Sequence, residues 1–138
     1  MKTTRFGVSI DSDLLDKFDH LIARKGYTNR SEAIRDLIRD SLVRTEWESE
    51  SRETIGTITI VYNSHTRELS EMLTHIQHRH YKSIISTTHI HMDEENCLEV
   101  LIVRGKGKEI KNISDQLTCT RGVKHGRLSL TTTGKNIA

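Results

Sequence analysis

Apolar and polar positions alternate along residues 4–10, Thr-Arg-Phe-Gly-Val-Ser-Ile, placing Phe6, Val8 and Ile10 on one face and Arg5, Gly7 and Ser9 on the other. This period of two predicts a half-buried strand. The period then becomes helical. Asp11 or Ser12 can cap a helix whose Leu14, Leu15, Phe18, Leu21 and Ile22 share one side, and Gly26 supplies its stop. A second helix follows almost at once. In Asn29-Arg30-Ser31-Glu32 a polar cap with Glu three residues on forms a capping box, and Ala33, Ile34, Leu37, Ile38 and Leu42 make the apolar stripe.

The segment Thr45 to Glu53 is polar and charged except for Trp47, which predicts a linker between two domains. Beyond it the patterning predicts a strand over 55–62, a helix over 65–80, strands over 83–92 and 97–103, a helix over 107–119 carrying Ile110, Ile113 and Leu117, and a last strand over 123–131. The order strand, helix, strand, strand, helix, strand is the split βαβ arrangement of ferredoxin-like folds, so the expected class is α+β. The chain carries no internal repeat or low-complexity tract.

A lone seven-residue strand leaves backbone donors and acceptors unpaired and its apolar face uncovered. The simplest partner is the same strand of a second copy, giving a two-fold antiparallel ribbon backed by four helices. Such a ribbon is one of the elements that enter a DNA groove with its outward side chains on base edges.

Composition narrows the classes. With 138 residues, 34% apolar content, 4% aromatics and no proline, each small core must be built from Leu, Ile and Val and suits completion by oligomerisation. The net charge is +2, and residues 1–44 hold nine Lys or Arg against seven Asp or Glu, so nucleic-acid binding must come from a local patch. The start has no signal-peptide pattern and no apolar run approaches the roughly 18 residues that cross a bilayer. The expected protein is soluble and cytoplasmic, with no membrane partner. Two cysteines, Cys97 and Cys119, are too few for a disulfide framework.

Seven of the eight histidines lie beyond the linker. His89 and His91 are two apart on a predicted strand and project from the same face. If residues 92–96 close a hairpin, His91 lies opposite Cys97, with His89 diagonal to it, so that three donors converge from one hairpin. A fourth donor is available on the helix carrying His75, His78 and His80. A thiolate with imidazoles suits zinc, copper or nickel; tetrahedral closure favours zinc, and a planar arrangement favours Ni(II) or Cu(II). A hydrolytic metal site needs an open coordination position and a placed base, which four protein donors do not leave, so no enzyme is expected. Cys119 is expected to be a small buried apolar residue, and His20, His65, His75, His80 and His125 are given no primary role.

The N-terminal motifs, Arg5 to Ile10 and Gly26-Tyr27-Thr28-Asn29-Arg30-Ser31-Glu32-Ala33-Ile34-Arg35, resemble ribbon-helix-helix repressors. The C-terminal motifs, Gln77-His78, Thr88-His89-Ile90-His91, Cys97-Leu98-Glu99 and Arg121-Gly122-Val123-Lys124-His125-Gly126, resemble the NikR nickel-responsive regulators, and the two resemblances together cover nearly the whole chain. They imply a ribbon-helix-helix domain over 1–46 forming an intertwined dimer, a linker over 47–54, an ACT-like metal-binding and tetramerisation domain over 55–133, and a tail over 134–138. They imply one Ni(II) per subunit held in a square plane by His89, His91 and Cys97 of one subunit and His78 of a neighbour, with Glu99 orienting a ligand imidazole. They imply a homotetramer, a dimer of dimers, repressing nickel-related genes from a palindromic double-stranded operator.

Arg5, Gly7 and Ser9 would then face the major groove, where arginine can bind guanine bidentately and serine can donate or accept. Gly7 takes a middle position where a polar residue is usual, which leaves two readers per strand. Asn29 and Arg30 would clamp a phosphate at the start of the second helix. Arg67 would touch the DNA backbone, with Thr66 in place of a basic neighbour found in some relatives. A structural potassium ion is implied between the domains, with Glu32 and Asp36 as its side chains and carbonyls near Thr118, Thr120 and Val123.

Overall fold

The computed structural model describes residues 2–138, and the chain falls into two compact units, Met1–Asp40 and Ser41–Ala138. In the first, α1 runs Ser12–Arg24 and is capped by Asp11, whose Oδ1 accepts from the amides of Asp13 and Leu14 at 2.9 and 3.3 Å. It ends at Gly26, held at φ 91° in the left-handed region that favours glycine. There the amides of Tyr27 and Gly26 return to the carbonyls of Ile22 and Ala23, at 3.0 and 3.1 Å, closing the end as a Schellman turn. Helix α2, Arg30–Glu48, starts where Asn29 Oδ1 accepts from the Glu32 amide at 2.9 Å.

Residues 2–10 form no strand within the chain, and Phe6, Val8 and Ile10 are exposed. The expected strand has no ladder partner inside one copy. Among the described residues of this unit only Ile22 and Ala33 are buried, while Leu14, Leu21, Leu37 and Ile38 are exposed.

The second unit adds β1 (Glu53–Asn63), α3 (Leu69–Arg79), β2 (Ile84–His91), β3 (Asn96–Lys106), α4 (Gly107–Thr118) and β4 (Val123–Thr131). The four antiparallel strands lie in the order β2-β3-β1-β4, the split βαβ topology that the element order predicts. Strict alternation along β1 buries Thr54, Gly56, Ile58, Ile60 and Tyr62 on one face. With Cys97, Leu101 and Val103 of β3 they meet Leu69, Leu73 and Ile76 of α3 and Ile110, Ile113 and Leu117 of α4 in one core. The opposite face leaves Val61, Leu98 and Val100 half-buried and Ile90 and Ile102 exposed.

The expected linker is partly structured. Helix α2 continues through Glu48, and Trp47 is 2% exposed in the core of the second unit. Its indole Nε1 donates to the Thr131 carbonyl at 2.8 Å. A Cβ at Gly56 would lie 2.9 Å from the Trp47 ring, and one at Gly107 would collide with the Trp47 carbonyl. Polar neighbours hide Trp47 in the sequence pattern, because its apolar partners lie on strands and a helix far along the chain. Helix α3 starts at Leu69 rather than residue 65, after a turn in which Glu68 takes a left-handed backbone, φ 65°. Cys119 is exposed, contrary to expectation. It caps α4 just past the last buried residue of that helix, Leu117, and so lies off the helix's apolar stripe.

Candidate metal centre

The β2–β3 hairpin is set by its four-residue loop. Asp93 Oδ1 accepts from the amides of Glu95 and Asn96 at 2.8 and 2.7 Å, and the Asn96 side-chain amide donates to Asp93 Oδ1 and Oδ2 at 3.2 and 3.0 Å. The Asn96 side chain and these amides hold the Asp93 carboxyl down to about 2, because bonds donated to a carboxylate favour its charged form. Lys124 donates to Asn96 Oδ1 at 2.6 Å and ties the loop to β4. The resulting register pairs His91 with Cys97 and His89 with Glu99.

His89, His91 and Cys97 therefore converge, with one candidate ligand atom from each lying within 4.8 Å of the others; among the described residues this is the only such group. The Cys97 sulfur is 3.4 Å from His91 Nδ1, and the two imidazole centroids are 4.8 Å apart. An imidazole nitrogen and a thiolate on one divalent first-row ion can be no more than about 4.4 Å apart, from bonds of about 2.1 and 2.3 Å. Donors at about 90–109° on such an ion lie about 3.0–3.6 Å apart, so the Cys97–His91 pair already fits, the wider separations close by rotation of the exposed histidine side chains, and the donors fit such an ion.

One imidazole is already oriented. His89 Nδ1 lies 3.0 Å from Glu99 Oε1, and an ionised carboxylate only accepts, so Nδ1 carries the proton and Nε2 keeps its lone pair for a metal. Tyr62, opposite Cys97 in β1, donates to the same Glu99 oxygen at 2.8 Å. Burial first, and the bond to Glu99 second, push the Tyr62 hydroxyl well above its ordinary range, so it stays protonated and donating. The second Glu99 oxygen accepts from Gln77 Nε2 at 3.0 Å, and Gln77 Oε1 accepts from the Thr87 hydroxyl at 3.1 Å. Glu99 is where the resemblance places an orienting carboxylate. The sequence pattern misses Tyr62, Gln77 and Thr87, because the first depends on β1 lying beside β3 and the others on where α3 meets β2.

His78 lies outside the three-donor group. It is exposed on α3, with its ring centroid 6.4 Å from that of Tyr81. In the first unit Arg5, Gly7 and Ser9 are all exposed. Arg30 grips Asp19 bidentately at 2.9 and 2.8 Å, and Asn29 acts as the cap of α2. Arg67 is 94% exposed with Glu68 beside it at 3.9 Å. Both oxygens of Asp36 are engaged, by the Tyr27 hydroxyl at 2.6 Å and by Arg39 at 2.8 Å, while Glu32 is exposed. No helix among the described residues is long and apolar enough to cross a membrane.

Comparison with known proteins accounts for both units. Residues 55–131 match the NikR C terminal nickel binding domain, and residues 4–45 match the ribbon-helix-helix proteins of the copG family. The chain belongs to the NikR family. Its relatives include a protein of Caldanaerobacter subterraneus, 62% identical over 96% of this chain and 86% of its own length, and one of Geotalea uraniireducens, 59% identical over 99% and 98%. Both bear the name "Putative nickel-responsive regulator". An uncharacterized protein from Thermotoga maritima shares the fold over 59% of this chain and all of its own, with a TM-score of 0.54 at 16% identity. The NikR family is one of transcriptional regulators, not enzymes, and its C-terminal domain binds nickel.

Proposed function

We propose that the chain is a nickel-dependent, sequence-specific DNA-binding repressor of genes for nickel uptake or use, acting in the cytoplasm. In this reading His89, His91 and Cys97 of one subunit and His78 of a neighbour hold one Ni(II) per subunit. The observation that carries it is the convergence of two imidazoles and a buried thiol on one hairpin, with Glu99 already fixing the tautomer of His89. Bound there, the ion supplies a cross-link between donors of two chains, so metal favours one arrangement of the assembly. By linkage, DNA then raises nickel affinity by the factor by which nickel raises DNA affinity.

Assembly as a dimer of ribbon dimers is supported by what one copy leaves uncovered: Phe6, Val8, Leu14, Leu21, Leu37 and Ile38 in the first unit, and Ile90 and Ile102 on the open sheet face of the second. In the paired ribbon Arg5 and Ser9 read base edges of a palindromic operator beside Gly7, and Asn29, Arg30 and Arg67 meet phosphates. The Arg30 contact requires its guanidinium to share or leave Asp19. A structural potassium ion held by Glu32 and Asp36 belongs to the same reading and requires Asp36 to exchange a present partner.

Complementation tests the ligand set. Neither His78→Ala nor Cys97→Ala alone gives the thiolate-to-nickel absorption of the parent, whereas the two variants unfolded and reassembled together recover part of it. They can pair an intact His89, His91 and Cys97 set with an intact His78 from another chain. No recovery overturns donation across the boundary, and operator affinity of Cys97→Ala equal to that of the parent in nickel overturns the whole reading.

A further inference from the structure

One amide joins the helix that carries His78 to the carboxylate that orients His89. Gln77 Oε1 accepts from the Thr87 hydroxyl on β2 at 3.1 Å, while Gln77 Nε2 donates to Glu99 Oε2 on β3 at 3.0 Å. The other Glu99 oxygen takes His89 Nδ1 at 3.0 Å and the Tyr62 hydroxyl at 2.8 Å. Glu99 is 9% and Tyr62 1% exposed, and among the described residues no buried side-chain polar atom lacks a partner. In such a network each bond fixes the direction of the next.

The chemistry requires an amide at position 77. A carboxylate of the same length accepts from Thr87 but has nothing to donate to Glu99, and it adds a negative charge about 3 Å from another. An apolar side chain of the same length makes neither bond. Gln77 is also the residue before His78, so both side chains leave the same turn of α3.

The two ends of α3 are held differently. At its start Glu68 has a left-handed backbone and no side-chain cap, and Arg67 is 94% exposed. At its end Gln77 reaches β2 and β3, while Arg79 and His80 reach Gln116 of α4 at 3.1 and 3.2 Å. Near its start α3 is also held by buried Leu69 and by Ser70, which bonds the Tyr62 hydroxyl, but Gln77 is the α3 side chain that bonds Glu99 itself, the group orienting a candidate metal ligand.

We propose that Gln77 is a positioning residue of the nickel site: its amide sets the placement of the last turns of α3 and the aim of the Glu99 carboxylate at His89 together, before metal binds. This rests on the reading of His89 as a ligand. It makes α3 placement and His89 orientation one variable, so loosening either loosens both.

The test uses the full-length protein. Gln77→Met keeps length and apolar packing but loses both bonds, and Gln77→Glu keeps the acceptor but loses the donor. In the metal-free protein, amides of Leu73 to Arg79 should exchange about tenfold faster in Gln77→Met, as expected when about two hydrogen bonds tying down a locally opening segment are lost. The imidazole nitrogen signals of His89 should move from a single Nδ1-protonated tautomer toward a mixture. Nickel affinity should fall by roughly 10- to 100-fold, the usual effect of removing a group that orients a ligand, and further in Gln77→Glu. Parent-like exchange together with a parent-like His89 tautomer in Gln77→Met overturns the proposal, as does parent-like nickel affinity. His89→Ala separates the readings. If it binds nickel as the parent does, the ligand assignment fails, and the metal half of this proposal with it, while the metal-free exchange and tautomer still decide whether Gln77 couples α3 to Glu99.

Discussion

The two units solve the problem of a small core in opposite ways. The second closes one face of its sheet within the chain: four paired strands, two helices on that face, Trp47 filling the space that Gly56 and Gly107 leave, and, among the described residues, a partner for every buried side-chain polar atom. The first leaves residues 2–10 without a ladder and most of its large apolar side chains in solvent, with two of its described residues buried. Three of the four proposed metal donors come from neighbouring positions of one hairpin and converge within one chain, whereas the reading surface proposed for the ribbon would exist only in a pair of chains. Sensor and reader therefore depend on assembly to different degrees, and substitutions should separate them.

The largest separation is expected at the ribbon. Val8 is 67% exposed in one copy, and the paired ribbon would bury it against its counterpart. Val8→Asp puts two carboxylates together in a desolvated position, which costs several kcal/mol unless they are neutralised. The expected outcome is loss of the ribbon dimer and of operator binding, with the second unit still folded, read by sedimentation and by amide exchange of β1 and β3. Parent-like assembly of Val8→Asp would mean that this strand is not the pairing element. Exchange lost in β1 and β3 as well would mean that the second unit is not self-sufficient.

The converse is expected at Trp47. Trp47→Ala removes a buried indole and its bond to Thr131, at a cost of about 3–5 kcal/mol for a large aromatic residue in a core. Urea unfolding followed by far-ultraviolet circular dichroism, which does not depend on the lost fluorophore, should show an earlier midpoint for the second unit. A midpoint within error of the parent would show that Trp47 fills space the unit does not need.

How much of this the sequence carries follows from the range of each interaction. Strand and helix periods are local, so all four sheet strands and all four helices are legible, and the His91–Cys97 pairing follows from hairpin length alone. Trp47 reads as linker because its partners, Gly56, Gly107 and Thr131, lie 9 to 84 residues away along the chain. Tyr62 reads as another apolar position of β1, since only the β1–β3 register places it beside Glu99. Gln77 carries no period at all. Such groups are defined by partners on other elements, and the sequence names the candidate ligands sooner than the groups that aim them.

The smallest effect, also confined to the reader, concerns Asp19 and Arg30. The pair is bidentate but exposed, with side chains 38% and 55% accessible, so its contribution is modest and weakened by salt. The hydrogen bond from Arg30 is the main reason the Asp19 carboxyl lies below its ordinary 3.8. A carboxyl whose pKa is lower folded than unfolded stabilises the fold fully above the unfolded value, and that stability is lost as pH falls through the folded value. Parent and Asp19→Asn should therefore differ in stability near pH 6 and converge as the medium is acidified below the ordinary carboxylate range. The same substitution frees Arg30 for a phosphate, so operator affinity should rise slightly or hold while stability near pH 6 falls. If stability and affinity fall together, Asp19 serves the DNA contact by holding Arg30 in place, and the ion pair belongs to the reading surface rather than competing with it.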